Sequence, residues 1–139
     1  MKNKGFTLVE LLVVLIIMAI ISAIGFAGVT AVQKNIKKNL WEAKIELILS
    51  GAKNYGEDNK NKFKETDTCN INGTVKEYCI TKDVQFLLDN NYIKTDEEDN
   101  DGNAIITNDT LDEDDSNYIV NEKDVKIYLE DNTIYATMD

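Results

Sequence analysis

The chain has no proline, no histidine and no arginine among its 139 residues, and it has only two cysteines. The missing histidine excludes histidine-based acid–base catalysis and histidine-ligated zinc. The cysteines, Cys69 and Cys79, lack the CxxC spacing of metal and redox sites. No nucleophile–base constellation, phosphate-binding loop or internal repeat is recognisable. The sequence therefore indicates a protein that is not an enzyme and has no cofactor beyond the calcium considered below.

Charge is absent from a long segment near the start of the chain. No residue between Leu11 and Gln33 is charged, and the eleven residues from Leu11 to Ile21 are all apolar. About 20 apolar residues suffice for a helix to span a bilayer. A cleaved secretory signal would have a shorter apolar region followed by a small-residue cleavage site. The pattern therefore predicts a transmembrane helix over residues 6–32 that stays in the mature protein.

A short motif precedes this apolar segment. Lys2 and Lys4 are followed by Gly5-Phe6-Thr7-Leu8-Val9-Glu10. A charged side chain is costly near the membrane interior, so Glu10 is a candidate functional residue. The alternative is an acid tolerated near the interface by an ordinary anchor helix.

The block Gly5-Phe6-Thr7-Leu8-Val9-Glu10-Leu11-Leu12-Val13-Val14 resembles the class III signal of type IV pilins and pseudopilins. The resemblance covers residues 1 to about 32. It implies that a prepilin peptidase cleaves between Gly5 and Phe6, that Phe6 is then N-methylated, and that residues 1–5 are a leader peptide. It also implies that Glu10 pairs with the N-terminal amine of a neighbouring subunit, since an acid in low dielectric is tolerated only with its partner present. Many pilins carry a proline where this chain has Ala27.

The rest of the chain, residues 33–139, predicts a second helical half and a globular head. Apolar residues recur at helical spacing from Val32 to Tyr55, and Gly56 is a helix stop signal. Extended segments are expected at 74–75, 78–80, 104–107 and 118–121, with a short helix capped by Thr81. Two alternating stretches, 125–130 and 133–138, flank an Asp131-Asn132 turn and form a hairpin against the long helix. The fold class is α+β: a long N-terminal helix, half membrane-spanning and half amphipathic, packed on a small antiparallel sheet.

Acidic residues are concentrated in one part of the head. The formal net charge is −10, and residues 95–122, the acidic segment, hold eleven acids and no lysine. Within it, Glu97, Asp99, Asp101 and Asn103 alternate around Gly102 as in a calcium loop. Some secretion pseudopilins, which this chain resembles, carry calcium in an equivalent loop. Asn108 stands where an EF-hand has its bidentate glutamate, so a solvated acidic turn is the alternative.

Phosphates would be repelled by the acidic segment, so no direct nucleic-acid site is evident. A basic patch at Lys34 to Lys38 is the alternative place for such contacts. The two cysteines lie in a part of the chain rich in turn residues. An extracytoplasmic head permits a Cys69–Cys79 disulfide, and two free thiols are the alternative.

The function that the resemblance implies is that of a type IV pilin. Such a subunit is stored as a single-pass membrane protein with its head outside the cytoplasm, and then polymerises into a helical surface filament used in adhesion or motility. Its partners would be the prepilin peptidase, other copies of itself, minor pilins, the membrane and an inner-membrane assembly platform. The alternatives are a pseudopilin of a secretion or DNA-uptake machine, and a membrane-anchored binding module that never assembles.

Overall fold

The structure is a computed structural model that describes residues 7–138, without the side chains of residues 23–28. Its longest element is helix α1, Leu8–Asp58, of 51 residues. The chain divides into two compact units, Met1–Lys37 and Lys38–Asp139. The elements after α1 form a small antiparallel sheet and a hairpin, which confirms the predicted α+β class.

The first unit contains the apolar part of α1. The described large aliphatic side chains from Leu8 to Ile21 are 45–81% exposed in the isolated chain. In the part of α1 that the structure describes, Thr30 and Ser22 are the polar side chains between Glu10 and Gln33. No helix within the described residues combines the length and apolar character that crossing a membrane requires.

The second unit contains two sheets. Strands β1, Cys69–Ile71, and β2, Thr74–Lys76, form an antiparallel hairpin. Strands β3, Cys79–Asp83, β4, Asp124–Glu130, and β5, Thr133–Met138, form a three-stranded antiparallel sheet in the order β3-β4-β5. Helix α2, Val84–Asp89, follows β3 directly, and a short 3-10 helix, Lys60–Lys62, follows α1.

The core of the second unit lies between α1 and the three-stranded sheet. The face of α1 that enters it repeats at helical spacing, at Ile48, Ala52 and Tyr55. The side chains buried against this face come from α2, β4, β5 and the loops: Phe63, Val84, Leu87, Ile93, Ile106, Val120, Val125, Ile127 and Ile134. The hairpin of β4 and β5, with positive φ at Asp131 and Asn132 in its turn, packs against the second half of α1 as predicted.

The prediction that α1 stops at Gly56 was wrong. The helix passes through Gly56 and ends at Asp58. A Cβ at position 56 would lie 2.6 Å from Cγ2 of Ile134 and 2.9 Å from Cγ2 of Ile127. This glycine therefore lets the sheet approach the helix closely and does not terminate it.

Two other local predictions were also wrong. Thr81 lies in β3, and Asp83 caps α2 by accepting a hydrogen bond from the Phe86 N–H at 2.6 Å. Segments 104–107 and 118–121 form only isolated bridges, Glu98 with Ala104 and Thr107 with Ile119. The two segments are joined by backbone hydrogen bonds, such as that from the Val120 N–H to the Ile106 carbonyl at 3.0 Å, and by Asn121, a buried amide whose Oδ1 accepts from Ile106 N–H at 2.9 Å.

Candidate assembly and processing site

The first turn of α1 is closed by Thr7 and Glu10. Thr7 Oγ1 accepts a hydrogen bond from the Glu10 N–H at 3.3 Å, and Glu10 Oε2 accepts from the Thr7 N–H at 3.1 Å. The Thr7 hydroxyl also donates to Glu10 Oε2, at 3.1 Å. This reciprocal pair is a capping box, which satisfies two of the free N–H groups at a helix start. Glu10 therefore has a local structural role in the isolated chain, in addition to any role in assembly.

The capping box lies at the start of an exposed apolar surface. Leu8 is 81% exposed and Val9 is 67% exposed, and Glu10 is also exposed. An acidic residue next to so much uncovered apolar surface is suited to a site that becomes buried against another molecule. Gly5 and Phe6, the predicted processing site, lie outside the described residues.

The acidic segment is anchored to α1 by Lys44. Its ammonium lies 2.6 Å from Glu97 Oε1 and 2.5 Å from Asp109 Oδ2, and it donates to the Thr107 carbonyl and Thr107 Oγ1, both at 3.0 Å. Glu97 Oε2 in turn accepts from the Thr107 N–H and hydroxyl. We call these four residues the Lys44 network. The Lys44 side chain is only 12% exposed. The carboxylates of Glu97 and Asp109 therefore balance a positive charge that is largely removed from water.

The electrostatics of Lys44 favour its charged form. Burial alone would lower the pKa of the ammonium, but the hydrogen bonds to Asp109 and Glu97 outweigh burial, so the pKa lies above the ordinary 10.5. Lys44 is therefore a cation at neutral pH, as the two carboxylates beside it require.

The four predicted calcium ligands are divided between two local structures. Glu97 belongs to the Lys44 network, whereas Asp99 closes a tight turn in which Gly102 has a φ of +81°. Asp99 Oδ1 accepts from the N–H groups of Asp101 and Asn103 at 2.9 and 2.8 Å, and Asp99 Oδ2 accepts from the Asn103 side-chain amide at 2.9 Å. That amide, followed by the backbone donors, lowers the pKa of Asp99 below the ordinary 3.8.

This arrangement is the hydrogen-bonding pattern of an acidic turn. Asp99 already uses both carboxylate oxygens within the turn. Among the residues that the structure describes, no group of three or more His, Cys, Asp or Glu side chains is placed to hold a metal ion. Calcium binding, which would also draw on Asn103 and backbone oxygens, stays a prediction.

The predicted disulfide is present. Cys69, in β1, and Cys79, in β3, are bonded, with their Cα atoms 5.7 Å apart. The bond ties the β1–β2 hairpin to the edge of the three-stranded sheet. The hairpin is also held by an ion pair between Lys76 and Glu130, at 2.7 Å.

A comparison with known families identifies the motif at the start of the chain. Residues 1–26 match the model of the prokaryotic N-terminal methylation motif. The chain carries the class III signal of type IV pilins and pseudopilins. The signal includes Gly5, Phe6 and Glu10, and it points to a structural, pilin-like protein processed by a prepilin peptidase. No curated protein and no solved structure matches the chain.

The sequence analysis missed two features, the capping box of Thr7 and Glu10 and the network around Lys44. The capping box has a recognisable signature, Thr-x-x-Glu before an apolar run, that could have been read from residues 7–10. Lys44 had no such signature, because its partners lie more than 50 residues away in the chain.

Proposed function

We propose that this protein is the structural subunit of a type IV pilus. Prepilin peptidase cleaves the leader between Gly5 and Phe6, Phe6 is methylated, and the subunit is stored in the membrane through residues 6–32. An assembly platform then polymerises it, with other copies and minor pilins, into a helical filament on the cell surface. The protein acts by assembling and has no catalytic role. The observation that carries this proposal is Gly5-Phe6 and Glu10 within the matched residues 1–26.

The exposure of α1 supports assembly. The apolar side chains from Leu8 to Ile21 are uncovered in the isolated chain, with Leu8, Leu15 and Met18 each more than 60% exposed. So much apolar surface is stable only when lipid or other protein covers it. Membrane storage followed by packing among other copies covers it in both stages.

In the filament, Glu10 pairs with the N-terminal amine of a neighbouring copy. Among the residues that the structure describes, the donors to this carboxylate are the N–H and the hydroxyl of Thr7. A carboxylate can accept further hydrogen bonds on its remaining lone pairs, and the cleaved chain supplies a positive amine at Phe6. An amine and a carboxylate that meet only in the correct register favour ordered assembly over misaligned packing.

Two substitutions of Glu10 separate its local and its intermolecular roles. Glu10→Gln keeps the capping box, because glutamine also closes this motif, but removes the negative charge. Glu10→Ala removes both. We expect both variants to reach the membrane fraction and both to lose filaments, measured by electron microscopy of sheared surface material. Glu42→Gln, an exposed acid on the same helix, is the matched control and should assemble normally.

Normal filaments from Glu10→Gln would contradict the charge-pair role, and normal filaments from Glu10→Ala would contradict any assembly role for this residue. The pseudopilin alternative shares the class III signal. It predicts that the wild-type protein remains with the cell envelope and does not appear in long surface filaments.

A further inference from the structure

Two lysines just beyond the apolar part of α1 have no ion-pair partner among the residues that the structure describes. Lys34 and Lys37 are exposed, and neither forms an ion pair within the residues that the structure describes. The neighbouring Lys38 differs, since it pairs with Glu42 at 3.7 Å. No acid lies between Glu10 and Glu42. The chain as a whole is strongly acidic, so two uncompensated cations at this place require an explanation.

The two lysines lie among exposed aliphatic side chains. Residues three apart are neighbours on a helix surface, so the ammonium groups of Lys34 and Lys37 can reach the same region. Val32 is 57% exposed and Ile36 is 59% exposed beside them. A lysine with its stem on apolar surface and its ammonium at the polar boundary is typical of a membrane interface.

The spacing fits the headgroup layer of a bilayer. Lys34 and Lys37 follow the end of the proposed membrane segment at Val32 by two and five residues, which is about 3 and 7.5 Å of helix rise. The headgroup region on each side of a bilayer is about 5–7 Å thick. Residues 6–32 make about 40 Å of helix, so they lie within a hydrocarbon core of about 30 Å when the helix is tilted. In that position the ammonium groups meet the lipid phosphates.

We propose that Lys34 and Lys37 bind the phosphates of anionic phospholipids while the subunit is stored in the membrane. The inference rests on the membrane-stored stage of the proposed function. A nucleic acid is a poor occupant, because loss of Lys2 and Lys4 with the leader lowers the net charge from −10 to −12 and phosphate polymers would be repelled. An anionic lipid is a better occupant because the apolar segment that immediately precedes the lysines brings it to them.

Binding by Lys34 and Lys37 would give this acidic protein a preference for anionic lipid next to these two residues. Each lysine near an anionic membrane surface strengthens binding to that surface roughly fivefold. The pair therefore holds the mature subunit in anionic regions of the membrane, although its acidic segment is repelled by the same lipids. The preference should weaken with salt, because headgroup contacts are screened within a Debye length of about 10 Å at 0.1 M.

The test uses the full mature chain in nanodiscs of equimolar phosphatidylcholine and phosphatidylglycerol, with retained lipids counted by native mass spectrometry. We expect the wild type to retain phosphatidylglycerol in several-fold excess, and Lys34→Gln/Lys37→Gln to retain the two lipids about equally. Lys53→Gln/Lys64→Gln removes the same charge from two exposed lysines elsewhere and should keep the wild-type ratio.

Three results would overturn the inference. Equal retention by the wild type, or an unchanged excess in Lys34→Gln/Lys37→Gln, would show that these lysines do not select lipid. If that variant retained the same excess of phosphatidylglycerol as the wild type but formed no filaments, the lysines would instead contact a second copy. Failure of the wild-type chain to enter nanodiscs of any composition would contradict membrane storage itself, and this inference with it.

Discussion

Lys44 and Asp109 are 65 residues apart in the chain, yet the Lys44 ammonium lies 2.5 Å from Asp109 Oδ2. This contact, with those to Glu97 and Thr107, fastens the acidic segment to the second half of α1. The segment has no regular strands and only isolated bridges, so side-chain contacts such as these add to the few backbone hydrogen bonds that hold it in place.

Replacing Lys44 by methionine should lower the free energy of unfolding by about 2 kcal/mol, since hydrogen bonds to charged groups are worth about 1.5–3 kcal/mol. Two carboxylates would also lose their counter-charge. Chemical denaturation of the mature protein in mild detergent measures this. Lys38→Met is the matched control, because its exposed ion pair with Glu42 should contribute less than about 1 kcal/mol. Equal stability of the two variants would contradict the anchoring role of Lys44.

The difference in stability between the wild type and Lys44→Met should depend on pH. The folded-state pKa of Lys44 is raised, so the network stabilises the ammonium form. The stability advantage of the wild type over Lys44→Met should be fully present below the ordinary pKa of 10.5 and should fall as the pH rises through the higher folded-state value. An advantage that persisted unchanged in strong alkali would show that the charge is not its source.

Gly51→Ala should destabilise the protein although alanine is the better helix former. A Cβ at this buried position would lie 2.1 Å from Cγ2 of Ile93 and 2.8 Å from the Tyr92 carbonyl oxygen, which is backbone. Overpacking costs about 1–3 kcal/mol and outweighs the gain of about 1 kcal/mol in helix propensity. Asn54→Ala, at an exposed position of α1, should leave stability unchanged or raise it. A Gly51→Ala protein more stable than the wild type would be inconsistent with this packing.

The disulfide should be present in the exported protein and should stabilise it. Non-reducing peptide mapping should recover Cys69 and Cys79 in one linked fragment. The double variant Cys69→Ser/Cys79→Ser should lose about 2–3 kcal/mol, because the bond restricts the unfolded chain. Recovery of both thiols in alkylated form without prior reduction would refute the bond.

Calcium binding by Glu97, Asp99, Asp101 and Asn103 requires its own test. A specific site would raise stability by about 2.7 kcal/mol at 100 times Kd, with less effect from magnesium. Asp99→Asn should abolish the calcium response, whereas Asp112→Asn, an exposed acid in the same segment, should not. Equal responses to both ions that vanish in high sodium chloride would indicate screening of clustered acids and no site.

The sequence predicted those elements whose determinants are local. Periodicity placed α1, and alternation about Asp131-Asn132 placed β4 and β5. Predictions failed where a distant contact decided the outcome. Gly56 looked like a helix stop, but the approach of Ile127 and Ile134 makes it a packing position. Segment 104–107 looked like a strand, but its backbone bonds partly to the Asn121 side chain.

The candidate site divides in the same way. Gly5, Phe6 and Glu10 lie within six consecutive residues, so they were recognisable from sequence, and the matched family model covers them. The Lys44 network joins α1 to residues near 97 and 109, and no sequence pattern links those positions. The sequence also held no sign that the carboxylate of Glu97, a predicted calcium ligand, pairs with Lys44.

The mass of the mature N-terminal peptide tests the central claim most directly. Protein isolated from the native cell envelope should yield a first peptide that begins at Phe6, with a methyl group on its amine. That result would establish prepilin-peptidase processing at Gly5, which an ordinary membrane anchor does not undergo. A mature chain that begins at Met1, or one that begins near Ala23 after removal of a secretory signal, would contradict the account.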